Sequence, residues 1–171
     1  QLVPAESATN RLSISGAIRR MSGSAAHPDP SSFFEEEDQT MNLVPQGAIA
    51  IASVIKVNSS LTSLDLSGNK LGPAACVHIG LALKENRVLA LLRLTSNNME
   101  NKGKLALAST IPFSNVQYMV MDNFSLIPGT SKLSLSGKVC CTADIALLSS
   151  VLHNNQELVS LNLSEVHLEE E

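Results

Sequence analysis

The sequence predicts an α/β fold in which one β-then-α unit recurs and stacks into a solenoid. One phrase, L-x-x-L-x-L-x-x-N-x-L/M, occurs twice 28 residues apart: Leu61, Leu64, Leu66, Asn69 and Leu71, then Leu89, Leu92, Leu94, Asn97 and Met99. The stretches between carry small and aliphatic residues at helical spacing in the same phase. They run Gly47, Ala48, Ile51, Ala52, Ile55 and, closing the set, Asn58, then Ala75, Cys76, Ile79, Gly80, Leu83 and Asn86, then Gly103, Lys104, Leu107, Ala108 and Ile111. The composition agrees, with 44% hydrophobic but only 3% aromatic residues, so the core is built from Leu, Ile, Val and Ala. Self-similarity at a period of roughly 20–50 residues marks a stack in which no unit can bury its apolar edge alone.

Residues 1–40 read as an N-terminal segment. RLSISG at 11–16 resembles KLSLSG at 132–137, which places a strand at 11–15. The Ser-, Gly- and Pro-rich run that follows, with the acidic FFEEEDQ, reads as a flexible loop over about residues 16–40. Residues 41–171 are expected to form one domain of about four irregular repeats. The opening QLVPAES has neither an initiating Met nor a signal pattern, so the chain is read as a piece of a longer array.

Within the repeat domain a first helix is expected from about residue 45, then a strand at Leu61–Leu66, and so on at period 28. The third strand is degenerate: Val116, Met119, Met121, Phe124 and Leu126 take the motif positions after 27 residues, with Phe124 in place of Asn. Pro128-Gly129 then leads directly into a fourth strand, Leu133 and Leu135, without room for a helix. TADIALLSSVLHNN reads as the next helix, with Thr142 as its N-cap and Ile145, Leu148 and Leu152 facing inward. A fifth strand begins at Leu158, Leu161 and Leu163.

Several function classes find no support. Net charge is −4, which offers no electrostatic footprint for nucleic acid or an anionic membrane. No apolar run approaches the length of a spanning helix. Three cysteines, two of them adjacent at Cys140 and Cys141, do not suggest a disulfide framework. They fit a reducing, cytoplasmic setting, with Cys140 as a small buried hydrophobe. His27, His78, His153 and His167 lie at no metal-ligand spacing, so no metal or other cofactor is expected. Neither a G-x-S-x-G elbow nor a phosphate-binding glycine pattern is present, and no small-molecule substrate is evident. The chain is read as non-enzymatic.

LTSLDLSGNKLGPAACVHIGLALKEN resembles a leucine-rich repeat of the long, helix-containing subclass seen in ribonuclease inhibitor. The same subclass occurs in NOD-like receptors and in the Ran GTPase-activating protein. The resemblance covers about residues 43–168 and is strongest over 58–111. It implies a short curved solenoid with parallel strands on the concave face and helices on the convex face. It also implies that Asn69 and Asn97 form a ladder bonding turn backbone. Phe124, Lys138 and Val166 break that pattern, so the ladder should lapse in the second half, with Phe124 filling its turn by packing.

The resemblance further implies where a protein partner would bind. The concave positions flanking the strand leucines are Ser63, Asp65 and Ser67, then Leu91, Arg93 and Thr95, then Tyr118, Val120 and Asp122, followed by Lys132, Ser134 and Asn162. Arg93 and Tyr118 are the residue types that most often anchor interfaces. The expected function is thus a scaffold for protein–protein interaction. The alternative is a GTPase-activating, regulatory or autoinhibitory repeat region of a larger protein.

Overall fold

The computed structural model describes residues 11–13 and 40–169. The loop expected at 16–40 therefore lies outside the described residues except for Thr40, as do positions 14 and 15 of the first strand. A short strand, β1 (Arg11–Ser13), precedes the helix α1 (Thr40–Val57). Two similar units follow: β2 (Ser63–Asp65) with α2 (Pro73–Glu85), and β3 (Leu91–Arg93) with α3 (Glu100–Ala108). A single 3-10 turn at Ile111–Phe113 then leads to β4 (Tyr118–Val120).

Strands β1 to β4 lie side by side, parallel and in register. Leu12, Leu64, Leu92 and Met119 occupy one row, so the same motif position stacks from unit to unit. Behind the sheet α1 packs on α2 and α2 on α3. Leu64, Leu66, Leu92 and Leu94 meet Ala75, Ile79, Leu83, Leu107 and Ile111 in one continuous core. Each buried aliphatic side chain of this kind contributes about 1.5–3 kcal/mol.

Local chemistry sets the helix ends and spacing. Pro73, just after Gly72, starts α2 where a missing N–H costs nothing. Gly80 and Gly103 allow close approach between units. A Cβ on Gly103 would lie 3.0 Å from Cys76 Sγ and 3.1 Å from Pro73 Cα. The turns after β2 and β3 each hold a left-handed residue, Gly68 at φ 71° and Ser96 at φ 57°.

The pattern changes after β4. The chain folds back, and β5 (Ser125–Leu126) pairs antiparallel with β4, which occupies the edge the next parallel strand would take. This hairpin was not expected. Its physical basis is that a parallel partner needs a crossover of a dozen or more residues, usually a helix, and none intervenes here. Phe124 at the fold-back is buried with Met119, Met121 and Leu126.

Beyond it, β6 (Lys132–Ser134) pairs parallel with β8 (Ser160–Asn162), and β7 (Val139–Cys141) pairs parallel with β9 (His167–Glu169). The helix between them, α4 (Thr142–Asn154), packs on α3, so the helical row continues where the sheet divides. Cys141, not Thr142, is the N-cap of α4. The helix buries Leu147, Leu148 and Val151, and Ile145 and Leu152 are only partly covered. Leu161 and Leu163, expected in the core, are 38% and 45% exposed because no further described strand stacks on β8. Among the described residues no helix is long and apolar enough to cross a membrane.

Candidate functional site

The outward face of the sheet consists of three rows of different accessibility. Ser63, Leu91 and Tyr118 share one row and are buried, at 5%, 9% and 8% exposure. Outward alternation alone had placed them in solvent. In-register neighbours only one strand apart shield each other, which the pattern of a single strand does not reveal. Tyr118 is also engaged with Glu157: burial first, and then that carboxylate, push its phenol up to about 12. Glu157 accepts the Gly129 N–H at 2.7 Å, and this bond and the phenol hold its carboxyl below the usual range.

The second row, Asp65, Arg93 and Val120, is half-buried. The third holds Ser67 and Thr95, half-buried, and Asp122, exposed. Several of these polar groups hold local backbone. Asp65 accepts the Ser67 N–H at 3.0 Å, and Asp122 accepts the N–H of left-handed Ser96 at 2.9 Å. Lys132, Ser134 and Asn162 lie apart on the β6–β8 pair and are exposed. There Ser134 and Asn162 repeat the same turn-holding role, to Ser136 and Ser164. Arg93 Nε and Ser63 Oγ differ from the rest, since both atoms are buried with no hydrogen-bond partner. They are the features of this face that internal structure does not explain.

At the end of the strands Asn97 forms the expected ladder. Its Oδ1 accepts the N–H groups of Asn69 and Leu71 at 3.0 and 3.1 Å, and its Nδ2 donates to the carbonyls of Leu66 and Leu94, both at 2.9 Å. Asn69 donates to Leu66 O at 2.7 Å. A second set of asparagines ties the helix C-termini. Asn86 donates to Ile55 O and Asn58 O and accepts from Val88 and Leu89. Asn58 accepts from Leu61, and Asn155 from Leu158, in the same manner.

Where the ladder lapses, a polar cleft opens among α3, the β4–β5 turn, β7, the start of α4 and β9. It has a volume of about 670 Å³ and is lined by Asn101, Lys104, Asn123, Val139, Cys141, Asp144 and Glu169. Asp144 is buried and bonds Lys104 Nζ at 2.7 Å, Asn123 Nδ2 at 2.6 Å and the Cys141 N–H at 3.1 Å. Burial opposes charge on both ends of the pair. The mutual contact prevails, raising the Lys104 ammonium above its ordinary range and holding the Asp144 carboxyl below its own.

A family model described as Leucine Rich repeat matches residues 57–79, which take in β2, the turn after it and the first half of α2. The chain is a leucine-rich-repeat protein. Its repeats are similar to part of a Rho GTPase-activating protein, gacW, of Dictyostelium discoideum, with 30% identity over 129 residues. That match covers 73% of this chain, and the chain spans only 11% of that relative's length. A solved structure, Leiomodin-1 Actin-Binding Site 2 (ABS2), aligns at 16% identity with a TM-score of 0.48, covering 74% of this chain and 65% of that one.

The roles of two sets of residues in these leucine-rich repeats escaped the sequence reading. The helix-end asparagines had a signal, since Asn58, Asn86 and Asn155 each stand three residues before the first motif leucine. The Lys104–Asp144 cleft had only a partial one: an acidic residue at the third position of α4, which binds the N-cap N–H as in a capping box. Among the described residues no group of three or more His, Cys, Asp or Glu side chains could hold a metal ion.

Proposed function

We propose that the chain is a non-enzymatic, cytoplasmic scaffold for protein–protein interaction. Its repeats form a short curved solenoid of the ribonuclease-inhibitor-like subclass, and a protein partner docks on the concave strand face. The N-terminal segment of residues 1–40, whose β1 joins the sheet, precedes the repeat domain of 41–171 in this reading, and neither nucleic acid, membrane nor a small-molecule substrate is invoked. The observation that carries this reading is the pair of unpartnered donors, Arg93 Nε and Ser63 Oγ, on adjacent strands of one face. A buried donor left unsatisfied costs about 1–3 kcal/mol. A partner carboxylate that draws the half-buried guanidinium outward would remove the cost at Nε and gain a charge-assisted bond.

The test is capture from cell extract by the wild-type chain and by Arg93→Glu, with both shown to be folded. A partner retained by wild type and lost by Arg93→Glu supports the strand face. Equal capture by both moves the site elsewhere. A second reading is favoured by the similarity to gacW: the repeats are a regulatory region of a larger GTPase-activating protein. Accelerated GTP turnover by a Rho-family GTPase in the presence of this chain would favour that reading and overturn the non-enzymatic one.

A further inference from the structure

The three thiols of the chain stand in sharply different surroundings. Cys76 is buried between α2 and α3, where burial pushes its thiol up to about 12. Cys140 is also buried, and burial, followed by the charge of Asp144, raises it. Cys141 is half-exposed and lines the polar cleft. Its Sγ lies 3.0 Å from Asn101 Oδ1, 3.0 Å from Asp144 Oδ2 and 3.5 Å from Lys104 Nζ. An acceptor for the thiol proton and a fixed cation therefore meet at one accessible sulfur. The Lys104–Asp144 pair joins α3 to the start of α4 and so holds the cation and the acceptor beside the sulfur.

We propose that Cys141 is a site of covalent oxidation by hydrogen peroxide, built by Lys104, Asp144 and Asn101. The sulfur attacks one peroxide oxygen, an S–O bond forms and the O–O bond breaks. Sulfur loses two electrons and the peroxide oxygens gain them. The thiol proton, oriented by Asp144 Oδ2, passes to the departing hydroxide, which leaves as water. The product is a sulfenic acid within reach of the Lys104 ammonium, which lies 3.5 Å from the sulfur. Because the oxidised sulfur no longer donates to Asp144 as before, the modification alters the contact that joins α3 to the start of α4.

The experiment treats the folded chain with equimolar hydrogen peroxide in the presence of dimedone, and locates the adduct by fragmentation mass spectrometry. Cys140, adjacent in the sequence, and Cys76 serve as internal controls. Labelling of Cys141 about ten-fold above either one is expected, and the preference should vanish in denaturant, where all three thiols are equally reachable. An unlabelled Cys141 in the folded chain, or a preference that survives denaturation, would overturn the proposal. The Lys104→Met variant, confirmed as folded by circular dichroism, should lose most of the preference and Lys104→Arg should restore part of it. A Lys104→Met chain labelled like wild type would remove Lys104 from the site.

Discussion

Lys104 Nζ sits 2.7 Å from Asp144 Oδ1, and this pair spans the point where the repeats become irregular. On one side of it the units follow at 28-residue spacing and share the asparagine ladder. On the other, β5 has closed the sheet edge and Phe124 stands where the next ladder asparagine would be. The helices nevertheless continue to stack, α3 on α4. The ion pair, with Asn123 and the N-cap of α4 bonded to the same carboxylate, does at this seam what Asn97 does within the regular units. Lys138 adds a bond from its ammonium to Asn123 O at 2.7 Å.

The seam should give folding stability a pH window. The Asp144 carboxyl is lowered in the folded chain, so its contribution is complete above the unfolded value and disappears as pH falls through the folded one. The Lys104 ammonium is raised, so its contribution is complete below the unfolded value and disappears as pH rises through the folded one. Between about pH 4 and about pH 10 the pair should be at full strength. Urea unfolding across pH should show an acid limb that is blunted in Asp144→Asn. That variant should cost about 1.5–3 kcal/mol at neutral pH, since it leaves the ammonium with a weakened partner. An acid limb identical to wild type would place the pH dependence elsewhere.

Removal of the ladder residue should be costly far beyond its size. Asn97→Ala deletes the acceptor of two N–H groups and the donor to two carbonyls of the turns around it. A loss of about 2–4 kcal/mol is expected, because each orphaned buried group costs about 1–3 kcal/mol and relaxation recovers part of it. Asn98→Ala, one position on and exposed, should change stability by less than about 0.5 kcal/mol. Chemical denaturation midpoints of the two variants decide the matter, and similar shifts would deny the ladder a structural role.

The contrast between the two halves also explains what could be read from the sequence. Leu64, Leu92 and the row they form were legible because a strict period repeats every constraint at the same phase, and parallel register follows from it. Asn69 and Asn97 were legible for the same reason. The fold-back at β5 was not, since Phe124, Ser125 and Leu126 carry the apolar content of a repeat and differ only in where the chain turns. Asp144 and Lys104 are 40 positions apart and meet only because α4 stacks on α3 across a unit with no full helix. No local pattern encodes such a contact. The candidate face was legible as a set of outward positions, yet the burial of Leu91 and Tyr118 depends on neighbours in other strands.

Close packing of helices should make Gly103 intolerant of even a methyl group. Ala in place of Gly ordinarily stabilises a helix interior by about 1 kcal/mol. Here the new Cβ would approach Pro73 Cα, a backbone atom, at 3.1 Å, and Cys76 Sγ at 3.0 Å. Backbone cannot move aside as a side-chain tip does, so overpacking of about 1–3 kcal/mol should outweigh the propensity gain. Thermal unfolding of Gly103→Ala should therefore show a lower midpoint. A higher one would mean that α2 and α3 separate readily.

Adjacent positions on β3 should respond in opposite ways to an introduced carboxylate. Leu92 is fully buried in the layer between sheet and helices, in the row with Leu64 and Met119. Leu92→Asp places an ionised group there without a partner, a cost of several kcal/mol that exceeds what a stack of this size can absorb. That variant, and Leu64→Asp by the same reasoning, should lose its helical circular-dichroism signal. Arg93→Glu reverses a charge on the half-buried outward face, where the native Nε already lacks a partner. It should keep the wild-type spectrum and a cooperative melt. If both substitutions abolish the signal alike, Arg93 is part of the core and the outward face begins elsewhere. If Leu92→Asp folds, the row shared with Leu64 does not form the layer that holds the repeats together.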